Sequence, residues 1–103
     1  MDREPVDIEL IEAIHGAKQK AKLQSFLISC LHRSEVTKLN KRWRIAGKYA
    51  DMLECGEKPT DVDVSESFGC NEQTVRKVRQ GIFQGGIAEK IVREQARKRM
   101  RSK

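Results

Sequence analysis

An apolar stripe between Val36 and Leu53 limits the folds open to this chain. Its members advance in alternating steps of three and four residues, the spacing of one helical face: Val36, Leu39, Trp43, Ala46, Ala50 and Leu53. Gly56 follows at the position where a left-handed residue would end the helix. A heptad stripe of this length fits a packed core helix or the seam of a helical dimer. We therefore assign the stripe from Leu39 to Leu53 to the core or the dimer interface.

Helical spacing also precedes this stripe. Pro5 occupies the place of a first helical residue, and Asp7 follows in the opening turn, where a carboxylate complements the helix dipole. Gly16 interrupts the segment, so residues 6–32 form either one kinked helix or two. Ser34 is placed to cap the long helix that contains the stripe. Since the chain has no strand pattern and no internal repeat, we predict an all-α helical bundle.

The stretch VSESFGCNEQTVRKV has the spacing of two short helices joined at a glycine. Thr60 and Asp63 form a capping pair for the first helix, which Gly69 ends, and Asn71 caps the second. Small or apolar residues stand wherever two crossing helices would meet: Val64, Ser65, Phe68, Cys70, Val75 and Val78. The pattern is typical of a helix-turn-helix, and a plain helical hairpin would bury the same residues.

The outer side of the second helix has side chains suited to nucleic acid. Gln73 and Arg76, with Glu72, are the predicted contacts to base edges in the major groove. Phosphate contacts set register and salt dependence, and we assign them to Thr74, Lys77, Arg79, Gln80, Arg97, Lys98 and Arg99. A solvated polar face would have a similar composition.

The charge of the chain, +6 in total, is unevenly distributed. Residues 1–14 contain five acids and one base, whereas residues 76–103 contain ten bases and two acids. This asymmetry indicates a polyanionic partner for the C-terminal third. Ile87 and Ile91 are predicted to form the apolar edge of a last, basic helix, and the terminal RKRMRSK shows no periodicity.

The composition predicts a modest core. Apolar residues make up 38% and charged residues 35%, so self-association is expected. Cys30, Cys55 and Cys70 have no CxxC spacing, and we predict no metal site. Cys30 and Cys70 fall at apolar positions, where a buried, reduced thiol acts as a small hydrophobe.

The sequence also predicts where the protein resides and which activities it lacks. No segment reaches the roughly 18 apolar residues of a membrane span, and the acidic start does not resemble a signal peptide. We therefore expect a cytoplasmic, nucleoid-associated protein without a membrane partner. No nucleophile, phosphate-loop or paired-acid motif is visible, so we expect neither an enzyme nor a cofactor.

The run KRWRIAGKYADMLECG, followed by SESFGCNEQTVRKV, resembles the Trp-repressor-like group of bacterial DNA-binding proteins across about residues 26–81. The resemblance implies an all-helical, intertwined homodimer, joined through its N-terminal helices, that presents two recognition helices to a palindromic operator. Arg42 matches an arginine of the tryptophan-binding members, but Lys77 stands where they have a second arginine. Because lysine lacks the planar fork of arginine, we expect no tryptophan corepressor.

These observations together predict a sequence-specific binder of double-stranded DNA that acts as a homodimeric transcriptional repressor. Residues 1–56 would form the core and dimer interface, residues 57–81 the helix-turn-helix, and residues 82–103 a basic helix and tail. One alternative is a phage-type DNA-packaging or assembly protein, similar to a small terminase, with many subunits in a ring. Another is an RNA-binding helical module that uses the basic tail.

Overall fold

Six α-helices make up residues 5–102, the part of the chain that the computed structural model describes. They are α1 (Ile8–Gly16), α2 (Lys20–Cys30), α3 (Arg33–Glu54), α4 (Asp61–Phe68), α5 (Glu72–Ile82) and α6 (Ile87–Arg101). No strand occurs within this range, so the predicted all-α class is confirmed. None of the helices in residues 5–102 is both long and apolar enough to cross a membrane. The chain divides into two units, Met1–Thr37 and Lys38–Lys103.

The first unit contains α1, α2 and the start of α3. Asp7 caps α1, because its carboxylate accepts hydrogen bonds from two N–H groups of the first turn. The prediction that Pro5 is the first helical residue is wrong, since α1 begins at Ile8. α1 ends at Gly16 and α2 begins at Lys20, so glycine divides the N-terminal segment.

Neither α1 nor α2 has a buried residue. Ile8 is 65% exposed, Ile11 45% and Ile28 56%. Cys30 is exposed as well, so the prediction that it is buried is wrong. Helices shorter than about 12–15 residues are marginal in water without packing. With 9 and 11 residues and no core of their own, α1 and α2 therefore need a surface to cover their apolar faces.

α3 begins one residue before its predicted cap. The helix starts at Arg33, and Ser34 lies within its first turn, so the assignment of Ser34 as the cap is wrong. The side chain of Glu35 accepts a hydrogen bond of 2.7 Å from the backbone N–H of His32. This contact satisfies one of the N–H groups that a helix start leaves without a partner, as the acidic half of a capping box does.

Two glycines end helices in the left-handed conformation, as predicted. Gly56 follows α3 with φ of 85°, and Gly69 follows α4 with φ of 79°. Beyond Gly56, the N–H of Glu57 donates to the carbonyl of Met52 at 3.0 Å, which satisfies one of the last carbonyls of α3. Both positions favour glycine because a Cβ is poorly tolerated at this φ.

The core lies in the second unit, where α3, α4, α5 and α6 all contribute. Its buried apolar residues are Ile45, Ala46, Ala50, Val64, Val75, Val78, Val92 and Ala96. Of the positions assigned to the core or the dimer interface, Ala46 and Ala50 are fully buried, and Trp43 and Leu53 are partly buried. Ile45, which is 0% exposed, lies outside the predicted stripe, so the buried face of α3 is wider than a heptad seam. Leu39 is 48% exposed and lies outside this core.

α6 continues the fold through most of the basic C-terminal segment. It buries Val92 and Ala96, one turn apart, whereas Ile87 is 70% and Ile91 43% exposed. The predicted apolar edge of Ile87 and Ile91 is therefore wrong, and the segment RKRMR, expected to lack periodicity, is helical. A hydrogen bond of 3.1 Å from the indole N–H of Trp43 to Gln95 joins α6 to α3.

Candidate nucleic-acid interface

Local hydrogen bonds fix both ends of the turn between α4 and α5. Thr60 and Asp63 form a full capping box, with the N–H of Asp63 donating to Thr60 Oγ1 at 3.0 Å and the N–H of Thr60 to Asp63 Oδ2 at 3.1 Å. Asn71 caps α5, because its Oδ1 accepts from the N–H of Thr74 at 2.9 Å. Both predicted caps are confirmed. Three residues, 69–71, therefore separate two helices with well-defined ends.

The side chains predicted to lie between α4 and α5 are on the inner side. Val64, Val75 and Val78 are at most 5% exposed, and Phe68 and Cys70 pack against the core. The small Ser65 is also buried, at 6% exposed, and its hydroxyl donates to the carbonyl of Val62 at 2.9 Å. Ser65 therefore leaves no buried hydroxyl without a partner, and α5 is held to the protein by its valines.

The outer side of α5 is polar and open to solvent. The predicted base contacts Glu72, Gln73 and Arg76 are all exposed. Gln73, Arg76, Lys77 and Gln80 follow the spacing i, i+3, i+4 and i+7, which places them on one helical face. Val75 and Val78 occupy the opposite face. α5 thus presents a continuous polar face while its apolar face is buried.

A carboxylate on α4 holds two arginines of α5. Arg79 donates to Asp61 from Nε at 3.0 Å and from Nη2 at 3.1 Å. These hydrogen bonds lower the pKa of Asp61 below its usual range and raise the pKa of Arg79. Arg76 Nε lies 3.6 Å from Asp61 Oδ2, and the Arg76 side chain is 51% exposed. Arg79, assigned from the sequence to DNA phosphate, is thus engaged within the protein, whereas Arg76 keeps much of its surface free.

Three arginines of α6 form ion pairs with the C-terminal half of α3. Glu54 accepts from Arg93 Nε at 3.0 Å and from Arg97 Nε at 3.1 Å, and Arg99 Nη2 donates to Asp51 Oδ1 at 2.7 Å. The hydrogen bond from Arg93 lowers the pKa of Glu54, with Arg97 adding to the effect. Arg97 and Arg99, both assigned from the sequence to DNA phosphate, therefore join α6 to α3.

Lys98 of α6, which was also predicted to contact DNA phosphate, has a different environment from Arg97 and Arg99. Lys98 is exposed, and within residues 5–102 it forms no ion pair. Lys98 lies between Arg97 and Arg99 in the sequence, and these two arginines pair with Glu54 and Asp51. Of the three α6 residues assigned to phosphate, Lys98 is thus the one whose charge is not already balanced by an acid of the described chain.

A cationic cleft lies between α3 and α5. It has a volume of about 220 Å³ and is lined by Lys38, Lys41, Arg42, Thr74 and Lys77; we call it the α3–α5 cleft. The structure therefore places the predicted phosphate residues Thr74 and Lys77 beside three cations of α3 that were not assigned to DNA contacts. Their spacing on α3, i, i+3 and i+4, was the available sequence signal. Sequence alone did not show that this face meets α5.

Comparisons with protein-family models, curated proteins and solved structures gave no significant match for this chain. Within residues 5–102, no group of three or more His, Cys, Asp and Glu side chains is arranged to hold a metal ion. The polar face of α5 and the adjoining α3–α5 cleft are therefore the features from which we argue function.

Proposed function

We propose that this chain is a sequence-specific double-stranded DNA-binding protein that acts as a transcriptional repressor. In this proposal α4 and α5 form a helix-turn-helix, and α5 enters the major groove. One observation carries it: α5 exposes Glu72, Gln73 and Arg76 while Val75 and Val78 anchor its opposite face. The major groove, about 12 Å wide, admits an α-helix, and glutamine and arginine side chains pair with the edges of adenine and guanine.

Arg76 is the side chain best placed for base recognition in this proposal. It is 51% exposed and lies in the middle of the polar face of α5. Arg76 Nε lies 3.6 Å from Asp61 Oδ2, which is close enough to limit the orientation of the guanidinium. Arg76 does not form the two short hydrogen bonds by which Asp61 holds Arg79. A partly restrained arginine loses less conformational entropy on binding and keeps its planar donors for a guanine.

The proposed protein acts as a homodimer, and the support comes from the first unit. α1 and α2 bury no residue, and Ile8, Ile11 and Ile28 remain between 45% and 65% exposed. A second copy would offer the same apolar faces in return, as the self-complementary interface of a two-fold dimer requires. Two copies of α5 related by that symmetry would contact the two half-sites of a palindromic operator.

Competition between nucleic acids tests the proposed function. A fluorescently labelled duplex of mixed sequence is bound by the protein, and unlabelled duplex, single-stranded DNA and a structured RNA hairpin are added in turn. The proposal predicts that duplex DNA competes best. Stronger competition by the hairpin would contradict it and favour the RNA-binding alternative.

Light scattering on the same sample tests the assembly. A mass of two chains agrees with the repressor. A mass of eight or more chains would contradict the dimer and favour a DNA-packaging or assembly ring.

A further inference from the structure

The α3–α5 cleft combines four cations with no acid. Lys38, Lys41 and Arg42 come from α3, Lys77 comes from α5, and no carboxylate contributes to the lining. All four side chains are exposed. Like charges gathered around a concave surface repel one another and concentrate positive potential there, so a bound anion relieves the repulsion.

Four arginines elsewhere in the second unit are engaged by acids, unlike the cations of the cleft. Arg79, Arg93, Arg97 and Arg99 each pair with an aspartate or glutamate at 2.7–3.1 Å. Within residues 5–102, no ion pair involves any of the four cations that line the α3–α5 cleft. The charge of a paired arginine is already partly balanced by its acid, whereas a cation of the cleft has no such partner in the described chain.

The first turn of α5 borders the cleft and carries the acid Glu72 beside its N–H groups. Thr74, which lines the cleft, lies in this turn, and Asn71 caps it. The N-terminus of a helix carries a partial positive charge and is favourable for phosphate. Thr74 and Arg79, the partner of Asp61, lie on opposite flanks of the α5 face that bears Gln73.

We propose that the α3–α5 cleft binds the phosphodiester backbone of the DNA strand that borders the groove entered by α5. This inference rests on the proposed function and adds to it Lys38, Lys41 and Arg42 as phosphate contacts. It assigns most of the phosphate contacts to the N-terminal half of α3 and to α5, in place of the arginines of α6. The contacts set affinity and register and carry no base preference.

The test compares two double variants that remove the same charge. Lys38→Gln/Lys41→Gln alters the cleft, and Lys58→Gln/Lys90→Gln removes two exposed lysines of the second unit that do not line it. Fluorescence anisotropy gives the affinity for a duplex over a range of salt concentrations. The slope of log K against log salt is negative, and each lost phosphate contact makes it shallower by about 0.9. Circular dichroism confirms that both variants remain helical.

We expect the slope of the cleft variant to become shallower by about 1 to 2. Its affinity should weaken equally on preferred and random duplexes. The slope of the control variant should stay unchanged. An unchanged slope in the cleft variant, or equal changes in both variants, would overturn the cleft assignment while leaving DNA binding intact. Failure of the unmodified protein to bind duplex DNA would overturn the proposed function as well.

A second arm separates the DNA backbone from free phosphate. Inorganic phosphate at millimolar concentration is added to the complex at constant ionic strength. If the cleft binds successive phosphates of a DNA strand, we expect inorganic phosphate to displace little of the DNA. Full displacement by phosphate, absent in the Lys38→Gln/Lys41→Gln variant, would show a site for the free anion and overturn the assignment to the DNA strand.

Discussion

Asp61 in the first turn of α4 binds Arg79 of α5 through two hydrogen bonds, of 3.0 and 3.1 Å. The pair orients α5 on α4 and lowers the pKa of Asp61 from its ordinary value of 3.8. A carboxyl group whose pKa is lower in the folded state stabilises the fold above its unfolded pKa, and this contribution is lost as the pH falls through the folded pKa.

We therefore expect Asp61→Asn to lower the urea midpoint of unfolding at pH 7. The difference from the unmodified protein should shrink as the pH falls below the ordinary Asp61 value of 3.8, because the unfolded chain then binds a proton at Asp61, and it should be lost below the lowered pKa of the folded state. Glu66→Gln is the control, since this exposed acid of α4 has no ion pair within residues 5–102. A difference that persists unchanged at acid pH would show that the ion pair is not its cause.

Gly69→Ala and Gly81→Ala should change stability in opposite directions. A Cβ at either position meets no atom within 4 Å, so packing does not distinguish them. Gly69 has φ of 79°, where a side chain costs about 1–2 kcal/mol. Gly81 lies inside α5, where alanine is favoured over glycine by up to about 1 kcal/mol. Denaturant unfolding measures both, and a stabilising Gly69→Ala would contradict the left-handed turn.

Two isoleucines provide a test of the core. Ile45 is 0% and Ile87 70% exposed. Truncation of a buried isoleucine to alanine costs about 2–5 kcal/mol, through lost burial and the cavity that remains. Most surface substitutions stay within about 0.5 kcal/mol. We expect the Ile45→Ala and Ile87→Ala variants to differ accordingly in free energy of unfolding, and similar losses in both would contradict the position of Ile45 at the centre of the fold.

Arg97→Gln/Arg99→Gln should act on the fold more than on DNA. Both arginines pair with acids of α3, Glu54 and Asp51, so their removal loosens the attachment of α6. We expect a lower thermal midpoint and an unchanged salt slope for duplex binding, in contrast to Lys38→Gln/Lys41→Gln. A shallower slope without loss of stability would return these arginines to the DNA contacts predicted from the sequence.

Local chemistry explains which parts of the fold were predictable from the sequence. The Thr60 and Asn71 caps and the glycine turns at Gly56 and Gly69 follow from interactions within a few residues, and the structure has them where predicted. The prediction that Ser34 caps α3 is wrong, because α3 begins at Arg33. Glu35 accepts a hydrogen bond from the N–H of His32, as the acid of a capping box does, and this contact does not require Ser or Thr at the cap.

Tertiary packing explains what the sequence did not reveal. Ala96 stands between the polar Gln95 and the charged Arg97, and only its contact with the core shows that this part of α6 has a buried face. The ion pairs of Arg79, Arg97 and Arg99 join residues 18 to 48 positions apart, beyond the reach of a periodic pattern. For the same reason Lys41 and Lys77 could not be placed in one cleft from sequence spacing.

Selection of bound duplexes from a random pool, run in parallel with the unmodified protein and with Arg76→Ala, tests most directly whether α5 contacts base pairs. We expect the unmodified protein to enrich a two-fold symmetric consensus. Arg76→Ala should lose preference at one position of each half-site and weaken binding to the preferred duplex by about 1–3 kcal/mol. No enrichment by the unmodified protein, or an identical consensus from both proteins, would contradict base recognition by α5 through Arg76.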